Sequence, residues 1–346
     1  MKMLEVPHKV CATTCMVNGL EDLYEWHTGQ RLPDYLFFHL SGLGTGFTYL
    51  KNKNALAPRI TFWGNSTQRQ YAALAGVVGF RWQVREGRGF PFSLQQVKEL
   101  VDRGKPVVLG ALDMFHLPYF EKFYHRFHIP IHYVLMVGYD DAGVWVHDCD
   151  RPEAQRIPYR DLEQAWNVNV PGISLKNTFF VFQFGEDTPG IETIVTLGLQ
   201  HCAEAMLKPP AGMFGVRGMR KLAEELPLWP QELNAAQLNA SLRHLAEYTG
   251  FPPMLPNRLS GFHVPNVHAG ARDNLAKLLK QLGAQYQRSE YNQAAELLGQ
   301  AGEQIEALTE QVVDVILRKS SSLDMAAESV RKIAVLEEEA YGLLAG

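Results

Sequence analysis

The sequence predicts an α+β protein in two domains. Residues 1–186 form a mixed domain on a mostly antiparallel sheet, and residues 187–346 form an all-α domain. Three features carry this reading. Residues 132–148 are two apolar, β-branched runs around a polar turn at Asp140 to Gly143, the pattern of a β-hairpin. On either side of it, short strand-like runs alternate with amphipathic stretches up to Phe184. Beyond the polar, turn-rich stretch from Gly185 to Gly190, only three- and four-residue apolar spacing remains.

The elements follow in order. Met16, Leu20, Leu23, Tyr24 and His27 recur at helical spacing, with Gly29 as the stop, and this helix is expected to open at Cys11. Gly29 to Pro33 is a turn, and Tyr35 to Leu40 an apolar run leading into Gly42-Leu43-Gly44-Thr45-Gly46-Phe47. That segment lacks the Gly-Lys-Ser/Thr of a phosphate loop, and close backbone approach explains its glycines equally well. Arg59 to Trp63 reads as a strand, Ser66 to Val78 as a helix capped by Asn65 or Ser66, and Trp82 to Val84 as a short strand. Ser93-Leu-Gln-Gln96 has the form of a capping box, opening a helix that stops at Gly104. Pro106 to Leu112 is a buried strand. Met114 to Pro130 crowds aromatic and histidine residues just before His132, which suits an amphipathic helix docking an aromatic stripe or a wall beside a reactive group. Ile157 to Trp166 reads as a short helix and Thr178 to Phe184 as a closing strand. The second half predicts helices near 192–206, 215–225, 231–249, 271–286, 290–318 and 323–343. The proline-rich loop at 250–270 is long enough to fold back over a site.

Bulk properties narrow the function. A chain of 346 residues holds an ample core, and its net charge of −4 gives no reason to propose nucleic acid or an anionic membrane as partner. Ten residues precede Cys11, too few for a signal-peptide apolar core, and no apolar run is long enough to span a bilayer. Four cysteines do not suggest a disulfide framework, so a cytoplasmic protein is expected. His116, His125 and His128 with Cys11 or Cys15 match no familiar closed metal site. Neither a metal nor another cofactor is therefore expected, and Cys15, Cys149 and Cys202 read as small core residues.

The chemistry-bearing residues are a cysteine early in the chain and a histidine far downstream. A thiolate at a helix N-terminus is favoured by unpaired N–H groups and the helix dipole. A thiol needs a base, and the base needs a partner that holds its tautomer. His132 opens the first strand of the hairpin, and Asp148 and Asp150 lie near the end of the second. Cysteine, then histidine about 120 residues on, then a carboxamide or carboxylate is the chain order of papain-like enzymes. Face alternation makes the hairpin decisive. A three-residue loop puts His132, Asp148 and Asp150 on one face, whereas a two- or four-residue loop puts His132 on the other. The sequence leaves that register open.

These segments resemble the butirosin-biosynthesis protein H family, in the C39-like branch of the papain-like cysteine enzymes. The resemblance rests on His8, Cys11, Thr13, Thr14 and Asn18, on Gly42 to Phe47, on Asp113-x-x-x-Leu117-Pro118-Tyr119, and on His132-Tyr-Val-x-x-x-Gly138-Tyr-Asp140 with Asp148. It covers residues 1 to about 186, and Gly215-Val-Arg-Gly218-Met-Arg-Lys-Leu-Ala resembles the helical domain that follows in such proteins. It implies Cys11 as nucleophile, His132 as base and Asp148 as orienting acid, with Gly44, Asp113, Tyr119 and Asn18 as substrate-binding candidates. Two departures stand out. Cys149 replaces the family's proline after the acid, which keeps Asp150 as an alternative acid, and His8 is separated from Cys11 by two residues.

The resemblance implies acyl transfer. An acyl group on the phosphopantetheine arm of an acyl carrier protein would pass to the cysteine as a thioester, and then to an amine of a small metabolite. The N–H of Cys11 would supply one oxyanion donor. Hydrolysis by the same residues, as in C39 peptidases or an amidase, and a non-catalytic binding module are the alternatives. Monomer and homodimer both remain open.

Overall fold

The computed structural model describes residues 1–10, 14–62, 67–250 and 271–346. Cys11 and Thr13, the Asn65/Ser66 cap and the loop at 251–270 lie outside the described residues. The chain runs β1 (Lys2–Met3), α1 (Cys15–Thr28), α2 (Leu36–Leu40), β2 (Thr48–Lys51), β3 (Arg59–Phe62), α3 (Thr67–Val78), β4 (Phe80–Arg85), α4 (Phe90–Asp102) and β5 (Val107–Leu112). It continues with β6 (His132–Tyr139), β7 (Gly143–Asp148), β8 (Arg151–Pro158), α5 (Tyr159–Trp166) and β9 (Phe179–Phe184). Helices follow: α6 (Ile191–Leu207), α7 (Gly215–Glu225), α8 (Trp229–Glu232), α9 (Ala235–Gly250), α10 (Arg272–Tyr286), α11 (Ser289–Ile316) and α12 (Asp324–Leu344). The protein is thus mixed, with an antiparallel sheet first and helices after. None of the described helices is long and apolar enough to cross a membrane.

Contacts divide the chain into two units, residues 1–37 with 66–190, and residues 38–65 with 191–346. The first contains the sheet, in the order β4-β9-β5-β6-β7-β8, with β1 added against β6. Every pairing is antiparallel. Central β5 and β6 are buried almost throughout and read as continuous apolar runs. Helix α1 packs on β6, where Gly19 lets it come close: a Cβ there would lie 3.0 Å from that of Leu135.

Local chemistry explains several boundaries. Helix α1 opens four residues later than expected, at Cys15, because Thr14 is extended and its hydroxyl accepts the N–H of Met16. It stops as expected at Gly29, in the left-handed region with φ 69°. Helix α4 opens at Phe90 rather than Ser93: Pro91 suits a first turn, and Ser93 is buried inside the helix. The stretch 114–130 is not an amphipathic helix. After a single 3-10 turn at Met114–His116 it proceeds by turns, stapled by Asp113, whose carboxylate accepts the N–H groups of Phe115 (3.1 Å) and Ile129 (2.9 Å).

In the second unit β2 and β3 form a two-stranded sheet, although sequence order had suggested the first domain for residues 38–65. Helices α11 and α12 pack together, and Leu298, Ala301, Ile305, Leu308 and Val312 form the buried stripe of α11. The glycine segment at 42–46 belongs here. Its main-chain carbonyls at Gly44 and Thr45 receive the buried guanidinium of Arg272 (3.1 and 3.2 Å), which also grips Glu337 through two hydrogen bonds (2.7 and 2.8 Å). An anion cradle presents N–H groups to its ligand. This segment presents carbonyl oxygens to a cation.

Candidate active site

Helix α1 and strand β6 bring a thiol and an imidazole together. Cys15 is the first residue of α1, half-buried rather than in the core, and its Sγ approaches the carbonyl of Ile131, the residue before His132, at 3.8 Å. His132, at the start of β6, is 6 % exposed. Its Nε2 lies 2.7 Å from Oδ2 of Asp148, which is completely buried at the end of β7. Nε2 is committed to the carboxylate, which leaves Nδ1 for any other partner. Phe120 packs edge-on against the imidazole, with centroids 5.2 Å apart.

The electrostatics follow from burial and contact. Burial opposes a charge on His132, but the Asp148 carboxylate and then the Cys15 thiol outweigh it, holding the imidazole well above its ordinary value of 6.5. Burial likewise opposes the Asp148 charge, yet the carboxyl is held below its usual range by His132 and by the Tyr119 hydroxyl, which donates to Oδ2 at 2.7 Å. The site therefore favours a protonated imidazole paired with a buried carboxylate.

Hairpin geometry decides between the two aspartates. The turn closes with Tyr139 opposite Val144 and four residues between them, which by itself would turn His132 away from Asp148. A β-bulge between Met136 and Gly138 shifts the register by one, so that Met136 opposes Val146 and Leu135 opposes His147. His132 and Asp148 then share a face. Asp150 does not pair with β6: β7 ends at Asp148 and the chain turns into β8, leaving Asp150 exposed and ion-paired with Arg151 at 2.8 Å.

The other anticipated residues lie in supporting roles. Asn18 donates to the Lys9 carbonyl at 2.7 Å, tying down the segment before α1. Asp113 holds the 114–129 turns and pairs with His128 at 2.6 Å. Tyr119 is half-buried, with its hydroxyl on the acid. Gly44 lies in the second unit, where a Cβ would stand 2.3 Å from Nδ1 of His39. Cys11 falls outside the described residues. Sequence reasoning put Cys15 in the core and missed its place at the helix start, whose signal was Thr14, a better cap than any residue preceding Cys11. It also missed Tyr71, whose hydroxyl donates to the Met16 carbonyl at 2.7 Å and which has no local motif.

One further cluster has the composition of a metal site among the described residues: His8, Asp22 and His147. The rings of His8 and His147 are stacked, 4.3 Å apart and inclined by 25°. An ion must lie near the plane of each imidazole at about 2 Å from its nitrogen. Two planes so nearly parallel do not meet within that distance, and His8 already holds Asp22 at 2.6 Å. The arrangement fits an ion pair better than a metal.

A helix-borne thiol, a strand-borne imidazole and a buried carboxylate on an antiparallel sheet define an α+β protein with a cysteine–histidine–aspartate cluster. Residues 14–149, which contain all three, match the family described as Butirosin biosynthesis protein H, N-terminal, and residues 160–249 match a domain of unknown function, DUF4872. The chain belongs to the butirosin biosynthesis protein H-like family, whose name points to biosynthesis. No curated protein matches the chain closely enough to count as a relative.

Proposed function

We propose that the first unit is a papain-like, C39-like cysteine acyltransferase with Cys15 as nucleophile, His132 as base and Asp148 as orienting acid. The observation that carries the proposal is that Cys15, first in α1 and with its Sγ 3.8 Å from the Ile131 carbonyl, lies beside the His132–Asp148 pair, joined at 2.7 Å. Cys15 gives its proton to Nδ1 of His132, and the sulfur attacks the carbonyl of an acyl thioester. The N–H of Cys15, in the orphan first turn of α1, is placed to donate to the oxyanion. The carrier's thiolate leaves with the proton from His132. An amine then attacks the acyl-enzyme, His132 accepts its proton, and the amide departs as the Cys15 thiol is restored. In this reading the donor is an acyl carrier protein and the acceptor an amine of a small metabolite, as the sequence resemblance implies.

Intact-mass measurement with a simple acyl thioester tests this. The wild type and Cys11→Ala should gain one acyl group, and Cys15→Ala should gain none. An adduct lost in Cys11→Ala but kept in Cys15→Ala would transfer the role to Cys11, and no adduct in the wild type would overturn covalent catalysis. Added amines should yield amide. Free acid alone would mean hydrolysis.

A further inference from the structure

His8 has no part in the chemistry above, yet it is the most fully engaged histidine near the site. Its Nε2 faces two main-chain carbonyls, of Arg151 at 2.8 Å and of Asp148 at 3.2 Å. Carbonyls only accept, so Nε2 carries hydrogen. Its Nδ1 lies 2.6 Å from Oδ2 of Asp22, whose Oδ1 accepts the Lys9 N–H at 3.1 Å. With hydrogen on both nitrogens, His8 is an imidazolium paired with a buried carboxylate.

The groups around it come from several elements. Asp22 approaches from α1, and His147 stacks on the ring from β7. The Asp148 and Arg151 carbonyls approach from the β7–β8 turn, and the neighbouring Lys9 ammonium pairs with Asp34 instead. Burial works against the charge on His8, but Asp22 and the two carbonyls outweigh it and raise its pKa. The ring thus spans two parts of the site. Asp22 lies about two helical turns beyond Cys15 on the helix that carries the thiol. The Asp148 carbonyl belongs to the residue that orients His132.

We propose that His8 is a positioning residue: locked on Asp22, its imidazolium holds the main chain of Asp148 so that the carboxylate meets His132 in register with Cys15. The inference rests on the reading of Cys15, His132 and Asp148 as the reacting array. Displacing a catalytic group by 1 Å can cost about 10²-fold in rate.

The test compares wild type, His8→Ala and His8→Gln by rate of acyl-adduct formation and by NMR titration of the His132 imidazole. A merely structural role would leave that titration unmoved. His8→Ala should slow acylation about 10- to 100-fold and lower the His132 midpoint, with thermal melts confirming a folded chain. His8→Gln, whose amide N–H can still reach the two carbonyls, should recover part of both. In the wild type, nitrogen shifts should show both His8 ring nitrogens protonated at neutral pH, a measurement that stands even if His8→Ala does not fold. A neutral His8 ring, or a His8→Ala variant with wild-type rate and His132 midpoint, overturns the proposal. An adduct that survives Cys15→Ala would instead sink the array itself, and this role with it.

Discussion

Asp148→Asn keeps the shape of the site and removes its charge. The amide oxygen can take the place of Oδ2 and still accept from His132 (2.7 Å) and Tyr119 (2.7 Å) in the wild-type geometry. A hydrogen bond to a charged acceptor contributes about 1.5–3 kcal/mol and a neutral one about 0.5–1.5. The difference, roughly 1–2 kcal/mol, corresponds to about one pKa unit. The His132 midpoint should therefore fall by about one unit in the variant, and acyl-adduct formation near neutral pH should slow by about tenfold or more. Imidazole NMR titration and intact-mass kinetics measure the two effects.

The stability signs follow from the same pair. His132 is raised on folding, so its contribution is complete below its unfolded value and is lost as pH climbs through the folded one. Asp148 is lowered, so its contribution is present above its unfolded value and is lost as pH falls through the folded one. The stability gap between wild type and Asp148→Asn should thus be widest between those limits and close at both ends. An unchanged His132 midpoint together with an unchanged rate would refute the view that this carboxylate sets the state of the imidazole.

Other consequences concern the second unit and the remaining thiols. Gly44→Ala forces a methyl within 2.3 Å of His39 and 2.5 Å of Phe38, and should destabilise by about 1–3 kcal/mol in denaturant unfolding. Arg272→Met strands the fully buried Glu337 and should cost about 3–5 kcal/mol, whereas adding Glu337→Leu should restore much of it. Burial pushes the Cys202 thiol up to about 11, so at pH 8 mapped alkylation should reach half-exposed Cys15 well before Cys202.

Long periodic helices were legible because tertiary structure had only to confirm a strong local pattern. The stretch 215–225 became α7, and 271–286 and 323–343 became α10 and α12 to within a residue or so. His132 and Asp148 were legible as the two ends of a hairpin, but the register that puts them on one face was not, because it depends on the bulge before Gly138. Strand β8 was not. Its Arg-Pro-Glu-Ala-Gln-Arg start is polar and carries a proline, which only an edge strand tolerates, and β8 is the edge. The 114–130 stretch looked helical by its aromatic spacing, but Asp113 captures its backbone at both ends, a contact across sixteen residues that no local pattern announces.

The choice of a proposed nucleophile shows the same limit in sharper form. Spacing and family pattern favoured Cys11, four residues upstream and outside the described residues, whereas a single cap at Thr14 puts Cys15 at the helix start. The bulge before Gly138 is the other half of that outcome. Without it the closing pair Tyr139–Val144 would send His132 and Asp148 to opposite faces. Strand β1 docks at this point: the Leu4 N–H donates to the Val137 carbonyl at 2.9 Å, and Met3 pairs with Gly138, where any side chain would strike the Lys2 carbonyl. The same N-terminal strap goes on to place His8 under Asp148. The first ten residues therefore support the site twice, once by pairing beside the bulge that sets its register and once by holding the acid's backbone.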